Sequence, residues 1–293
     1  MATLDAVIDA FVASREFDKA TLARLRFWSE QLGAQELAAI TPDDVDAALV
    51  ALAERGRLQT RRNRPTQATG QPLSGATINR YITQLGSIYR YARRLRLLPR
   101  VFVPPTKGIE KAPELPNPER YLRPDEVERL ITVARLLDRR WGRLPALITL
   151  AFHTGLRVGN LLALRWRDVD LEAGTLTVVK TKNGRPLVAP LTAAACAELR
   201  ALGTPAPDRL VFEGRGGRAY NFRPLWAKVC TEANLPGRNF HQLRHGCGSA
   251  LAQAGVGQAQ IMAILGHRTL SASARYMHHS TEDKRAVVRK VFG

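Results

Sequence analysis

Between Val101 and Arg120 the chain carries five prolines and no hydrophobic periodicity. Proline fixes φ and removes a backbone donor, so such a stretch continues neither a helix nor a sheet ladder and reads as a semi-extended linker. A chain interrupted there must build a separate core on each side. The length fits that requirement: 293 residues with 45% hydrophobic content exceed the roughly 100–200 residues of one ordinary domain. We therefore expect two domains, 1–102 and 120–293, joined by a linker over 103–119.

The two halves differ in pattern. Before the linker, TPDDVDAALVALAERG has Thr41 to cap, Pro42 in the first turn, Asp44 to complete a capping box and Gly56 to end a helix. A second helix is expected from Ser74, where Ile78, Tyr81, Ile82, Leu85, Ile88 and Tyr89 fall at helical spacing and form a core stripe. After the linker, RPDEVERLITVARLL restarts a helix with Pro124 in its first turn, and LPALITLAFHTG follows. The period then changes. TLTVVK and RPLVAPL alternate around Asn183-Gly184, a hairpin signal that places Lys182 at the lip of a small antiparallel sheet. Short helices return from about Pro224, so the fold class is mainly α with a small antiparallel β-sheet.

Charge narrows the partners. Lys and Arg number 44 against 26 acids, a formal net charge of +18, which points to a polyanion. From Arg55 to Arg100 there are 11 arginines and no acid. A solvated helix face interleaves Glu with Arg to gain ion pairs, whereas a phosphate-facing surface gains from releasing the duplex's counterions. Arg55, Arg57, Arg61, Arg62, Arg64, Arg80, Arg90, Arg93 and Arg94 are thus candidate DNA contacts. No membrane partner is expected: the longest mainly apolar stretch, Ala146 to Phe152, falls far short of the roughly 20 residues that span a bilayer. MATLDAVIDAF carries acids where a signal peptide has bases, so a cytoplasmic location is expected. Cys196, Cys230 and Cys247 form no CxxC pair and read as small buried apolar residues.

Four stretches place phosphate-compatible side chains where local geometry can fix them: TGLRVGNLLALRW, KTKNGRPLVAPL, HQLRH and LGHRTLSASARY. Arg157 follows a Thr-Gly turn and opens a helix. His241 and Arg244 share a helix face three residues apart, pairing a guanidinium fork with an imidazole suited to proton transfer. His241 and His245 also have the spacing of zinc ligands, but no Glu follows the first His and an Arg between them would repel a cation. Tyr276 lies amid His267, Arg275, His278 and His279; a phenol of pKa near 10 needs such help to attack.

Arg157, Lys182, His241-Gln-Leu-Arg244, His267 and Tyr276, in this order and with the tyrosine nine residues after the histidine, resemble the tyrosine recombinases, or phage integrase family. The resemblance runs from about Leu4 to the carboxyl end. It implies a two-domain clamp: a helical, SAM-like core-binding domain over 1–102 on one DNA face and a mixed α/β catalytic domain over 120–293 on the other. It also implies that Tyr276 attacks the scissile phosphate and forms a 3′-phosphotyrosyl bond while a 5′-hydroxyl leaves. Arg157 and Arg244 would clamp the non-bridging oxygens, His241 would assist with the tyrosine proton, Lys182 would protonate the leaving oxygen, and His267 would hydrogen-bond the phosphate. No cofactor or metal is implied. The implied partners are double-stranded recombination sites, further copies forming a tetramer on DNA, and an accessory directionality or DNA-bending protein. The tail STEDKRAVVRKVFG would dock on a neighbouring protomer or fold back on its own domain.

The chain departs from the family pattern at several points. Asn160 stands where an acid is usual, Gln242 where Asp is common, and Gly246 and Gly248 where Thr and Ala would be ordinary; each glycine weakens a helix by about 1 kcal/mol relative to Ala. Lys180 faces the same side of its strand as Lys182. The missing acid at Asn160 favours a mobile-element or phage integrase over a Xer-type chromosome or plasmid resolvase. A type IB topoisomerase and a catalytically silent DNA-binding regulator are the readings outside recombination.

Overall fold

Thr3, Asp18, Thr41 and Ser74 each present a side-chain oxygen to the free amides of a first helical turn. They open α1 (Leu4–Ala13), α2 (Lys19–Leu32), α3 (Pro42–Arg55) and α4 (Gly75–Arg94). At α3 the capping box is complete, with Thr41 and Asp44 bonding reciprocally. A computed structural model describes residues 2–59, 67–114, 121–139, 141–179, 186–203, 206–267, 269, 285 and 289, and it divides into two compact units, Met1–Asn117 and Pro118–Gly293.

In the first unit, one face of each helix is buried. Leu4, Val7, Leu25, Trp28, Val45, Leu52, Leu85, Ile88 and Tyr89 make a single core, each large side chain contributing about 1.5–3 kcal/mol on burial. The polar atoms of Trp28 and Tyr89 are satisfied: Trp28 Nε1 donates to the Tyr81 carbonyl at 3.0 Å and Tyr89 OH to the Leu37 carbonyl at 3.0 Å. One element has no hydrophobic signature. Gly56, at φ +65°, ends α3 and turns the chain into β1 (Leu58–Gln59), which pairs antiparallel with β2 (Gln67–Ala68). Both strands are exposed on both faces, so no apolar alternation marks them.

The described part of the proline-rich segment, expected as linker, lies along α4. Asn79 donates to the Ala112 carbonyl and accepts from the Ala112 amide, both at 2.9 Å. The approach is close enough that a Cβ on Gly75 would stand 2.1 Å from the Pro113 carbonyl oxygen.

In the second unit, α5 (Pro124–Leu137), α8 (Ala193–Ala201) and α10 (Gln242–Gln253) pack around α6 (Arg143–Thr154), which is buried without interruption from Leu144 to Ala151. Further helices among the described residues are α7 (Val158–Leu162), α9 (Arg223–Glu232) and α11 (Gln258–Leu265). A three-stranded antiparallel sheet, in the order β3 (Val169–Asp170), β4 (Thr175–Val178), β5 (Leu187–Pro190), turns Leu176, Val178 and Ala189 onto the same core. Val178 pairs with Leu187, as the alternation of TLTVVK and RPLVAPL predicts, while Asn183, Gly184 and Lys182 lie outside the described residues. The mainly α class with small antiparallel sheets is therefore what the chain adopts. Among the described residues no helix is long and apolar enough to cross a membrane.

Candidate active site

Three of the segments singled out in the sequence meet at one guanidinium. Arg244, on α10, is 4% exposed. Its Nη1 donates to the Gly155 carbonyl and its Nη2 to the Leu265 carbonyl, both at 2.7 Å. Gly155 ends α6 two residues before Arg157, and Leu265 ends α11 two residues before His267. One fork thus joins the turn that presents Arg157, the helix that carries His241, and the turn that presents His267. Local sequence makes this possible: Gly155 and Gly266 adopt φ of +62°, left-handed turns that glycine enters without strain. A Cβ on Gly155 would stand 2.2 Å from Leu265 Cδ2 and 3.1 Å from Cys247 Sγ, so the close packing of these segments also needs the missing side chain.

The start of α10 is built by two residues just outside the recognised pattern. Asn239 Oδ1 accepts the His241 amide and Gln242 Oε1 accepts the Asn239 amide, both at 3.0 Å. This is the reciprocal arrangement of a capping box, and it gives Gln242 a structural task at the position where Asp is common. His241 is exposed on the first turn, with its ring 4.8 Å from and perpendicular to that of His245. Gly246 has its own reason: a Cβ there would meet the Leu122 carbonyl oxygen at 2.3 Å and the Phe152 ring at 3.0 Å. The missing side chain, at the cost of lower helix propensity, lets α10 lie against the chain ahead of α5 and against α6. Cys247, directly below, is buried, and burial pushes its thiol up to about 11, the wrong direction for a nucleophile.

Arg157 caps α7 in extended backbone, and its carbonyl accepts from the Asn160 and Leu161 amides. Among the described residues, none of the ion pairs involves Arg157, in keeping with Asn160 replacing an acid. Sequence reasoning passed over His153, whose Nδ1 lies 2.7 Å from the Thr192 Oγ1 that caps α8. Burial lowers its pKa, and the bond ties the end of α6 to the segment after β5. The available signal was only its place in the HTG turn. Lys182, Lys180 and Tyr276 lie outside the described residues, as do Arg61, Arg62 and Arg64.

In the first unit, the arginine-rich stretch divides between faces. Arg55 and Arg57 line a cleft of about 1070 Å³ together with Lys19, Arg24 and Arg26 of α2. Arg55 lies 5.0 Å over the Phe27 ring and donates to Tyr81 OH at 3.1 Å, which holds its planar group in place. Arg90 and Arg94 instead line a smaller cleft of about 520 Å³ with Arg15; Arg80 is exposed outside both, and Arg93 bonds the Arg100 carbonyl. Lys19, Arg24 and Arg26 escaped notice because α2 mixes charges, Glu30 included, and shows no one-sign run.

Comparison with known proteins gives the family and the fold. The model of the phage integrase family matches residues 120–283, more than half of the chain. The shufflon-specific DNA recombinase of Escherichia coli is 29% identical over 211 residues, covering 72% of this chain and 53% of that protein, so the chain spans about half of that relative's length. The tyrosine recombinase XerC of Xanthomonas campestris pv. campestris is 28% identical over 267 residues, 88% of this chain and 76% of that one. In fold, the chain resembles the Tn1549 transposon integrase solved in complex with transposon right end DNA, with a TM-score of 0.75 at 16% identity over 99% of this chain and 100% of that one.

Proposed function

Because the chain belongs to the phage integrase family, we propose that it is a site-specific DNA recombinase that cuts and rejoins strands through a 3′-phosphotyrosyl intermediate on Tyr276. The observation that carries the reading is the Arg244 fork, which gathers the Arg157, His241 and His267 segments around one buried cation. In this reading the Tyr276 oxygen bonds to phosphorus as the bond to the 5′ oxygen breaks. His241 takes part in removing the phenol proton, and Lys182 returns a proton to the leaving oxygen. Arg157, Arg244 and His267 stabilise the charge that builds on the non-bridging oxygens. The diester's energy is retained in the tyrosyl link, so a strand's hydroxyl reverses the step without ATP or hydrolytic water, and the arginines neutralise charge without a metal.

The partners are double-stranded recombination sites, held by four copies of the chain and assisted by a directionality or DNA-bending protein. The first unit serves as the core-binding domain and the second as the catalytic domain. We read the role as integration of a mobile element or phage, because Asn160 replaces the usual acid; the match to XerC over 88% of the chain favours chromosome or plasmid resolution as the second reading.

The test is a pool of duplexes with randomised sequence around a nick, incubated with the full chain and denatured in SDS. A covalent protein–DNA adduct enriched in particular sequences is expected, and it persists in EDTA. Binding without an adduct would reduce the chain to a DNA-binding regulator, and loss of the adduct in EDTA would overturn the metal-free chemistry.

The cleft on α2 and α3 makes a separate prediction. Arg26 and Arg57 are exposed there, and each phosphate contact contributes about 0.9 to the slope of log affinity against log salt. Arg26→Glu with Arg57→Glu should lower that slope by about 2, read by anisotropy on a labelled duplex of arbitrary sequence. An unchanged slope removes this cleft from the DNA interface.

A further inference from the structure

We infer that Glu126, at the start of α5, is a positioning residue for the catalytic helix α10 and acts through Arg238. This rests on the recombinase reading above. Glu126 is 4% exposed; besides a long contact of 3.9 Å from Oε1 to Arg123 Nη2, its carboxylate has two hydrogen-bonding tasks. Oε2 accepts the Arg123 amide at 2.9 Å and caps α5, while Oε1 accepts from Arg238 Nη2 at 3.2 Å. The Arg238 side chain is 20% exposed, so this pair is shielded from water in a way that the neighbouring Arg123–Asp125 pair, 60% and 64% exposed, is not. Surface pairs of the latter kind contribute little; a shielded pair that loses one partner strands the other charge.

What Arg238 holds is the approach to His241. Its carbonyl accepts Trp226 Nε1 at 2.9 Å. Asn239 caps α10 with Gln242, and the Phe240 ring packs 4.9 Å from Trp226 and 4.6 Å from Phe222. Every residue from Arg238 to Phe240 is anchored. The anchors at Asn239 and Phe240 come from α10 itself, α9 and the residue preceding α9, whereas the anchor on the Arg238 side chain comes from α5, 112 residues away in sequence. Glu126 therefore sets where α10 begins relative to the rest of the catalytic unit, and with it the His241 ring and the Arg244 fork. A displacement on the order of 1 Å at such groups is enough to cost up to about a hundredfold in rate.

The test uses the full chain and the nicked duplex that the wild-type protein enriches from the randomised pool. At saturating DNA, Arg238→Gln and Glu126→Gln should each slow adduct formation by about tenfold or more. Duplex affinity and its salt slope should stay near wild type; the melting temperature falls because the remaining charge is left shielded and unpaired, with the protein still folded at the assay temperature. Arg238→Lys should recover most of the rate, and the Glu126→Gln/Arg238→Gln double variant should be no slower than the worse single one, as expected for two partners in one interaction. A fall in affinity and salt slope would make Arg238 a phosphate contact and overturn the inference. So would an unchanged rate, or a rate that falls only in step with melting. If the wild-type chain forms no adduct at all, it is the recombinase reading that fails.

Discussion

Tyr276→Phe should abolish the covalent adduct on the nicked duplex while binding to the same duplex stays within about twofold, because the substitution removes only the attacking oxygen. The other tyrosines have structural employment that argues for this assignment. Tyr89 OH donates to the Leu37 carbonyl, Tyr91 OH to the Ala10 carbonyl, and Tyr81 OH accepts from Arg55. In the second unit, Tyr121 OH accepts from Gln253, and burial pushes the Tyr220 phenol up to about 12, which disfavours a phenolate. Tyr276 is the tyrosine that the sequence surrounds with Arg275, His278 and His279. Denaturing gel electrophoresis of the labelled duplex decides the matter. An adduct that survives in Tyr276→Phe means another residue is the nucleophile, and phosphoamino-acid analysis of that adduct would name it.

The second large effect is expected at Arg244. Removing one group that stabilises charge in the transition state costs about 10²–10³ in rate, so Arg244→Ala should reduce single-turnover adduct formation by at least that factor. It should also lower the melting temperature, because the Gly155 and Leu265 carbonyls lose a buried donor at about 1–3 kcal/mol for each group left unsatisfied. Arg244→Lys separates the two roles. A single ammonium keeps the positive charge but lacks the planar fork that reaches two carbonyls from two nitrogens, so the rate stays low even if stability recovers in part. An Arg244→Lys protein that cleaves at the wild-type rate would show that charge alone suffices and that the fork's geometry is dispensable. An Arg244→Ala protein that does so would remove Arg244 from the reaction.

Much of the architecture is legible in the sequence because it rests on local chemistry. Thr41 with Asp44, Ser74, and Pro124 with its following acids mark helix starts that the structure reproduces. The alternation of TLTVVK and RPLVAPL predicts the β4–β5 pairing in its observed direction. What escaped was non-local or unpatterned. The β1–β2 ribbon is exposed on both faces, so burial leaves no trace in its sequence. The proline-rich segment reads as linker because proline forbids regular structure, yet its described part is held by the side chain of Asn79, which no periodicity reveals.

The site divides in the same way. The residue types and their order, from Arg157 through Arg244 to His267 and Tyr276, are legible in the sequence alone, and it is this order that carries the resemblance to the family. The sequence also determined where the helix breaks fall, through Gly155 and Gly266. Only the tertiary structure decided what holds the Arg157, His241, Arg244 and His267 segments together: that Arg244 is buried on two backbone carbonyls, that Gly246 is required by the Leu122 carbonyl, that Gln242 completes a cap with Asn239, and that Glu126 reaches Arg238 across 112 residues. The physical reason is range. Capping and periodicity act within a few residues and are written in adjacent letters, whereas these contacts join segments that meet only after the core around α6 has packed.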